Sequence, residues 1–243
     1  MRLTRVYVDA ALSAGRRGLV SGSAANHIAR VLRLGVGDAL TLFDGRGGEY
    51  ASHIEALKKD AVEVAVGEHI AIERESPLAV TLAQGISRGE RMDWVMQKAT
   101  ELGVQRIVPL ITERSVVRLD VHQAQKKFQH WRGIVIAACE QCGRNCLPEL
   151  AVPVDLQEFL GSQAATADMR LLLSPGGSVR IGAIKPVRNI TVLIGPEGGL
   201  APEEAAAAIA QGFVGLQLGP RILRTETAAI AALAALQGAL GDL

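Results

Sequence analysis

Three short segments carry the residue types and spacing that could form a ligand site. The first is Ile194-Gly195-Pro196-Glu197-Gly198-Gly199-Leu200-Ala201-Pro202-Glu203-Glu204. A buried strand runs into a Gly/Pro loop and then into a helix; Pro202 fits the first helical turn, and the acids behind it suit the positive helix end. A tight turn needs one glycine. Three glycines, a proline and Glu197 exceed that need, although spacing alone leaves an ordinary strand-to-helix turn open. The second segment, Leu216-Gln217-Leu218-Gly219-Pro220-Arg221-Ile222-Leu223-Arg224-Thr225-Glu226-Thr227-Ala228, again ends a strand in a Gly-Pro turn. Ile222 and Leu223 could line a pocket, Thr225 could cap the following helix, and Glu226 sits beside that cap with two arginines. The third, Leu173-Ser174-Pro175-Gly176-Gly177, has the same character. Ligands in open α/β sheets bind outside the carboxyl ends of the strands. Three such ends suggest one composite pocket built from backbone groups. Neither the G-x-G-x-x-G fingerprint nor a phosphate loop is present at this position.

The elements that must hold these segments follow from hydrophobic pattern. Residues 1–72 are β-rich, with strand runs Arg5–Val8, Asp38–Phe43, Glu49–Leu57 and Ala61–Ile70, and a glycine-rich turn at Asp44-Gly45-Arg46-Gly47-Gly48. One helix interrupts them, with Ser23 as N-cap and Ile28, Val31 and Leu32 as its apolar face. Five short elements in so few residues suggest a small barrel. Glu73-Arg74-Glu75-Ser76-Pro77 is polar and contains a helix-terminating proline, which sets the expected domain boundary and gives domains 1–72 and 73–243. Beyond it the pattern changes. Leu78–Ala83, Arg106–Ile111, Leu171–Leu173, Ile190–Ile194 and Phe213–Leu218 read as strands. Arg91–Leu102, His122–Cys139, Asp155–Leu160, Pro202–Ala210 and Thr225–Leu240 read as helices. This alternation predicts an α/β domain with a parallel sheet covered on both sides.

Composition bounds the rest. The chain has 243 residues, 49% hydrophobic and 21% charged, with only 3% aromatic, so aliphatic side chains must fill the core. A formal net charge of +1 excludes a wholly basic protein that coats nucleic acid. Locally, residues 1–33 hold six arginines against the single acid Asp9, and residues 86–146 hold ten Lys/Arg against six Asp/Glu. Arginine suits bidentate phosphate contacts, although a solvated face has the same composition. No secretory h-region or spanning stretch is expected, and with it no membrane partner. Cys139, Cys142 and Cys146 are three thiols with no nearby histidine, one fewer than a structural zinc or cluster normally takes, so no metal is expected and a reducing cytoplasm is the default. Ser174 has no recognisable His/Asp arrangement, which argues against a hydrolase triad. Trp94 and Trp131 are expected to pack helices on the sheet, and His122 and His130 to lie on the surface.

The Gly195–Leu200 and Leu218–Ala228 segments resemble the SPOUT class of S-adenosylmethionine-dependent RNA methyltransferases. More narrowly, the chain resembles the RsmE family of 16S rRNA uridine N3-methyltransferases. Supporting segments are His27-Ile28-Ala29-Arg30-Val31-Leu32-Arg33, Phe43–Tyr50, Arg91–Val104, Arg114-Ser115-Val116-Val117 and Glu140-Gln141-Cys142-Gly143-Arg144. They are spread in the right order over nearly the whole length.

The resemblance implies an N-terminal PUA-like barrel that binds RNA and a C-terminal SPOUT domain with a trefoil knot that dimerises. It implies a cytoplasmic enzyme whose cofactor is S-adenosyl-L-methionine and whose substrate is uridine 1498 of 16S rRNA in the 30S subunit, with no DNA partner. Leu173, Ser174, Ile194, Gly195, Pro196, Glu197, Gly198, Leu218, Gly219, Ile222, Leu223, Thr227 and Ala228 would hold the cofactor. Arg5, Arg16, Arg30, Arg33, Arg91, Lys98, Arg114 and Arg144 would hold the RNA backbone. The acceptor N3 must lose its imide proton, so Glu197 and Glu226 are candidate acids or bases, and Arg221 and Arg224 candidate anion stabilisers. Arg224 as stabiliser and Glu197 as the nearby carboxylate are favoured; Glu226 also reads as a first-turn helix charge. The rivals are another SPOUT methyltransferase acting on a ribose 2′-OH or on tRNA, and a non-catalytic RNA-binding assembly protein.

Overall fold

A computed structural model describes residues 4–115, 119–162 and 167–243. Arg2, Val116 and Val117 lie outside the described residues. The chain forms two compact units, one of residues up to Glu75 together with Cys139–Leu147, the other of Ser76–Ala138 and Pro148–Leu243. The division therefore falls three residues beyond the expected 72/73 boundary. The first unit also takes in a later stretch that hydrophobic pattern alone places in the second, because pattern reports local periodicity and not which distant segment fills a gap.

In the first unit, β1 (Arg5–Tyr7), β2 (Arg17–Ser21), β3 (Ala39–Phe43), β4 (Glu49–Leu57) and β5 (Ala61–Ile70) form one sheet in the order β1-β3-β4-β5-β2. β1 pairs β3 in parallel and the other pairs are antiparallel. Period-2 alternation drives this: Val62, Val64 and Val66 of β5 point inward while their neighbours are more exposed. They pack with Val6, Val20, Ile28, Leu40, Leu42 and Ile54. The Asp44–Gly48 turn uses left-handed backbone at Gly45, Gly47 and Gly48. β2 was not legible in the sequence, since Arg17-Gly18-Leu19-Val20-Ser21 lacks a strand's apolar alternation and buries only Val20.

The helix α1 (Gly22–Asn26) starts from Ser21, two residues before the expected cap, and continues as a π-helical turn over His27–Val31. Leu32 N–H donates to His27 O at 2.9 Å, and Arg33 follows with φ +54°. The wide turn rotates Val31 outward, to 68% exposure, so it leaves the apolar face that an α-helical period assigned to it.

A buried charge network closes the first unit. Arg144 is 3% exposed and forks onto Glu75, with Nε to Oε1 at 2.9 Å and Nη2 to Oε2 at 2.5 Å. Arg5, 8% exposed, pairs with Glu49 and donates to Asn145 Oδ1 at 2.6 Å and to Arg144 O at 3.1 Å. Arg5 and Arg144, expected on an RNA-binding face, are therefore interior ion-pair partners. Both guanidiniums are buried and bonded to protein acceptors, away from the surface that a phosphate would reach. Two of the thiols lie in the same region. Burial pushes Cys139 up to about 12, and burial with neighbouring Glu73 pushes Cys146 up to about 12.

Burial alone would raise the Glu49 carboxyl, but Arg5 outweighs it, helped by Asn145 and Arg74, and holds the group below the ordinary carboxylate value. A lowered folded-state pKa stabilises above the unfolded value and is lost as pH falls through the folded one. The Glu49 contribution is therefore fully present at neutral pH and is lost only as pH falls below the ordinary carboxylate value and through the lowered one. Urea unfolding of wild type and Glu49→Gln checks this: the variant is less stable at neutral pH and loses less on acidification. Equal acid sensitivity in both would contradict it.

The second unit is an α/β sandwich. Its sheet, seven strands among the described residues, runs β12-β10-β11-β6-β7-β8, with β9 also paired to β7. The strands are β6 (Ala79–Gly85), β7 (Arg106–Ile111), β8 (Glu149–Leu150), β9 (Val154–Asp155), β10 (Met169–Leu173), β11 (Asn189–Ile194) and β12 (Val214–Leu216). Every pairing is parallel. The continuous apolar runs of β6 and β11 follow from burial on both faces. One face receives α2 (Glu90–Glu101), α3 (Val121–Cys142) and α6 (Thr225–Leu240); the other receives α4 (Leu156–Gly161) and α5 (Pro202–Ala210). Trp131 is buried, as expected, but Trp94 is 57% exposed and packs no core. The two-residue β8 and β9 were too short to be read from pattern. Among the described residues no helix is long and apolar enough to cross a membrane.

Candidate cofactor and catalytic site

The carboxyl ends of β10 and β11, the loop after β12 and the start of α6 frame a cavity of about 690 Å³. β6 lies beside β11, and the chain leaves β6 toward β7 on one side while β10 and β12 lie on the other. This reversal of strand order is where open α/β sheets bind ligands. A volume in the range of roughly 300–1,000 Å³ suits a drug-sized ligand or nucleoside cofactor.

Twelve of the thirteen residues expected to hold a cofactor line this cavity: Leu173, Ser174, Ile194, Gly195, Pro196, Glu197, Gly198, Leu218, Gly219, Ile222, Leu223 and Ala228. Thr227 does not; it is exposed on the α6 surface, where the helical period turns it away. Arg221, Arg224, Glu226, Arg91 and Arg114 complete the charged part of the wall. Arg91 and Arg114 were read as backbone clamps for RNA, and the structure sets both at this cavity. Lys98 bonds both oxygens of Glu101, at 2.9 and 3.0 Å. Arg16, Arg30 and Arg33 are exposed on the first unit.

The loop after β11 is built by close backbone packing. A Cβ on Gly195 would sit 2.9 Å from Gly199 C and Leu200 N, and a Cβ on Gly85 would sit 2.4 Å from Pro196 N. Only glycine lets these strands meet. Gly199 N–H donates to Pro196 O at 2.9 Å, closing a turn over Pro196–Gly199. The loop then enters α5, where Glu204 Oε2 accepts from Ala201 N–H at 2.9 Å and Oε1 accepts from Glu113 N–H at 2.8 Å.

Thr225, expected as a helix cap, has another role. Arg224 occupies the N-cap position, and the Thr225 hydroxyl donates to Gly195 O at 2.7 Å while accepting from Gln84 Nε2 at 2.9 Å. Gln84 is fully buried at the end of β6 and was missed in the sequence; its one signal was an amide inside an apolar strand run. Together Gln84 and Thr225 pin the Gly195 loop to β6 and α6. Thr225→Val should destabilise the second unit by about 1–3 kcal/mol, because buried partners lose their bonds. Thr225→Ser should recover most of this in urea unfolding, and equal loss in both would remove the hydroxyl from the account.

Three charged side chains meet at the rim. Glu197 Oε1 accepts from Arg88 N–H at 2.9 Å and from Arg91 Nη1 at 2.8 Å. Partial burial alone would raise its pKa, but the Arg88 N–H, its own N–H and Arg91 outweigh burial and hold it below the ordinary value. Arg91 Nε also lies 3.9 Å from Glu226 Oε1. Glu226 Oε2 is buried with no hydrogen-bond partner among the described residues. Arg114 Nη1 donates to Gly198 O at 3.2 Å.

Residues 74–237, which hold this parallel sheet and its glycine loops, match the RNA methyltransferase domain family. Residues 20–67 match the RNA methyltransferase PUA domain family. The chain is similar to the ribosomal RNA small subunit methyltransferase E of Buchnera aphidicola from Schizaphis graminum, at 35% identity covering 100% of this chain and 98% of the relative. Among solved structures it is similar to a methyltransferase of Legionella pneumophila in complex with SAM, at 45% identity and TM-score 0.96, covering 100% of both chains. It is also similar to the ribosomal RNA small subunit methyltransferase E of Neisseria gonorrhoeae bound to S-adenosyl methionine, at 38% identity and TM-score 0.90, again over 100% of both. The chain belongs to the ribosomal RNA small subunit methyltransferase E family.

Proposed function

We propose that this protein transfers the methyl group of S-adenosylmethionine to N3 of uridine 1498 in the 16S rRNA of the small ribosomal subunit. The observation that carries the reading is the 690 Å³ cavity at the strand ends, in a chain that matches structures holding S-adenosylmethionine over their full length. The residues present fit that cofactor. Backbone N–H and C=O groups of the Leu173–Ser174, Ile194–Gly198 and Leu218–Gly219 segments can bond an adenine and a ribose, and Leu223 and Ala228 supply apolar wall. When bound, the cofactor supplies a methyl group already activated on a sulfonium.

The protein's task is then orientation and charge. Arg224 at the α6 N-cap lines the cavity and supplies a cation for the negative charge that develops on the uracil carbonyl oxygens. Glu197, held by Arg88 and Arg91, positions Arg91 at the rim. The uridine must leave its stack to reach this depth. Exposed Arg16, Arg30 and Arg33 of the PUA unit hold the RNA backbone, which fixes register without reading sequence. A cytoplasmic homodimer is the form we take to be active; Ile222, 86% exposed on the cavity loop, favours coverage by a second copy.

The test is product analysis. Incubation with methyl-labelled S-adenosylmethionine and small subunits lacking the modification, then digestion to nucleosides, should place the label in N3-methyluridine. Label in a 2′-O-methylated nucleoside would overturn the assignment of the acceptor atom. Binding to small-subunit RNA should also weaken steeply with salt. A flat salt response would remove the arginine face from the account.

A further inference from the structure

The carboxylate that stands out by sequence, Glu197, is the wrong shape for proton transfer. Its Oε1 already accepts from Arg88 and Arg91, and the same bonds hold its pKa low, which makes it a weak base. Glu226 differs. It lines the same cavity, its side chain is 16% exposed, and its Oε2 is buried without a donor among the described residues. A buried carboxylate oxygen left unbonded costs free energy, and one on the wall of a ligand cavity is placed to accept a ligand's donor.

We propose that Glu226 is the catalytic residue that accepts the imide proton of the uracil; the proposal rests on the reading of the function given above. The chemistry of the acceptor selects it. A uracil edge presents a carbonyl, an N–H and a carbonyl in a row, which calls for one acceptor flanked by donors. Glu226 offers the acceptor, and Arg224, two residues before it, offers N–H donors to a flanking oxygen. In the step, the N3–H bond breaks and its proton goes to Glu226 Oε2. The freed electron pair forms the N3–methyl bond, and the methyl–sulfur bond breaks with its pair returning to sulfur. No further reactant is needed. The charged groups facing Glu226 in the cavity are Arg91 of α2, Glu197 after β11, Arg114 after β7, and Arg221 and Arg224 before α6. Arg91 bridges Glu197 and Glu226 through Oε1 of each and leaves Glu226 Oε2 unoccupied.

The experiment compares wild type, Glu226→Gln and Glu226→Ala. Calorimetry measures S-adenosylmethionine affinity, and single-turnover methylation of small subunits is followed across pH. Glu226→Gln should keep the affinity within about threefold and lose about 10²–10⁴-fold in rate, the range for general-base removal. The acid limb of the wild-type pH profile should disappear in the variant. Added formate should restore rate to Glu226→Ala and not to Arg224→Ala, a rescue that a structural role would not give. Loss of affinity by more than tenfold with the rate retained would overturn the proposal and make Glu226 the partner of the cofactor's ammonium group. Unchanged rate and affinity would reduce it to a helix-end charge. Failure of the wild type to produce N3-methyluridine would instead refute the functional reading itself.

Discussion

Arg224→Ala lowers turnover by about 10²–10³-fold, the range expected when one preorganised donor to a developing anion is removed, and leaves cofactor affinity nearly intact. The split between the two effects follows from position. Arg224 sits at the N-cap of α6 with its backbone extended, so truncation of the side chain leaves the turn and the helix start in place. The Gly195 loop is pinned by Thr225 and Gln84, which the substitution does not touch. The cation is needed only when negative charge appears on the uracil oxygens, so its loss falls on the rate and not on cofactor binding. Arg224→Lys should recover part of the rate, because a point charge replaces the fork without matching two oxygens. Titration calorimetry together with single-turnover rates measures both quantities. Rate and affinity falling together would place Arg224 among the cofactor's contacts.

Arg144→Met destabilises the first unit by about 3–5 kcal/mol, the range for breaking a buried pair by removing one partner. The guanidinium is almost fully enclosed and forks onto both oxygens of Glu75, so its removal leaves a partly buried carboxylate unmatched. The double variant Glu75→Leu with Arg144→Met should regain most of the loss, because apolar side chains of similar volume avoid the desolvation cost. Urea unfolding followed by circular dichroism distinguishes this from a surface contact, for which the loss would stay below about 1 kcal/mol.

The strongly periodic parts of the fold were legible in the sequence. β4, β5, β7, α5 and α6 fall where hydrophobic pattern puts them, because long amphipathic or fully buried runs leave few alternatives. β2, β8 and β9 were not, since their pairing depends on neighbours and not on their own composition. The glycine loops were legible as a candidate site: backbone packing as close as that at Gly85 and Gly195 restricts the residue type, and restriction leaves a mark on sequence. Charge roles were far less legible. Arg5, Arg144, Arg16 and Arg30 are the same residue type in similar local settings, yet two are buried in ion pairs and two are exposed. Nothing local tells them apart, because burial of an arginine is decided by carboxylates about 45 to 70 positions away, Glu49 for Arg5 and Glu75 for Arg144. The same reason hid the difference between Glu197 and Glu226, which lies in whether Arg88 and Arg91 reach the oxygen.

The most direct test of the central claim is reverse transcription across the 3′ region of 16S rRNA, after small subunits lacking the modification have been incubated with the protein and S-adenosylmethionine. A methyl group on N3 occupies the edge that pairs with an incoming nucleotide, so the enzyme copying the RNA must halt there, whereas a ribose methyl leaves that edge free. One new cofactor-dependent halt is expected, at the nucleotide on the 3′ side of uridine 1498. A read-through transcript from subunits that have nonetheless taken up label, or a halt at another base, would contradict it.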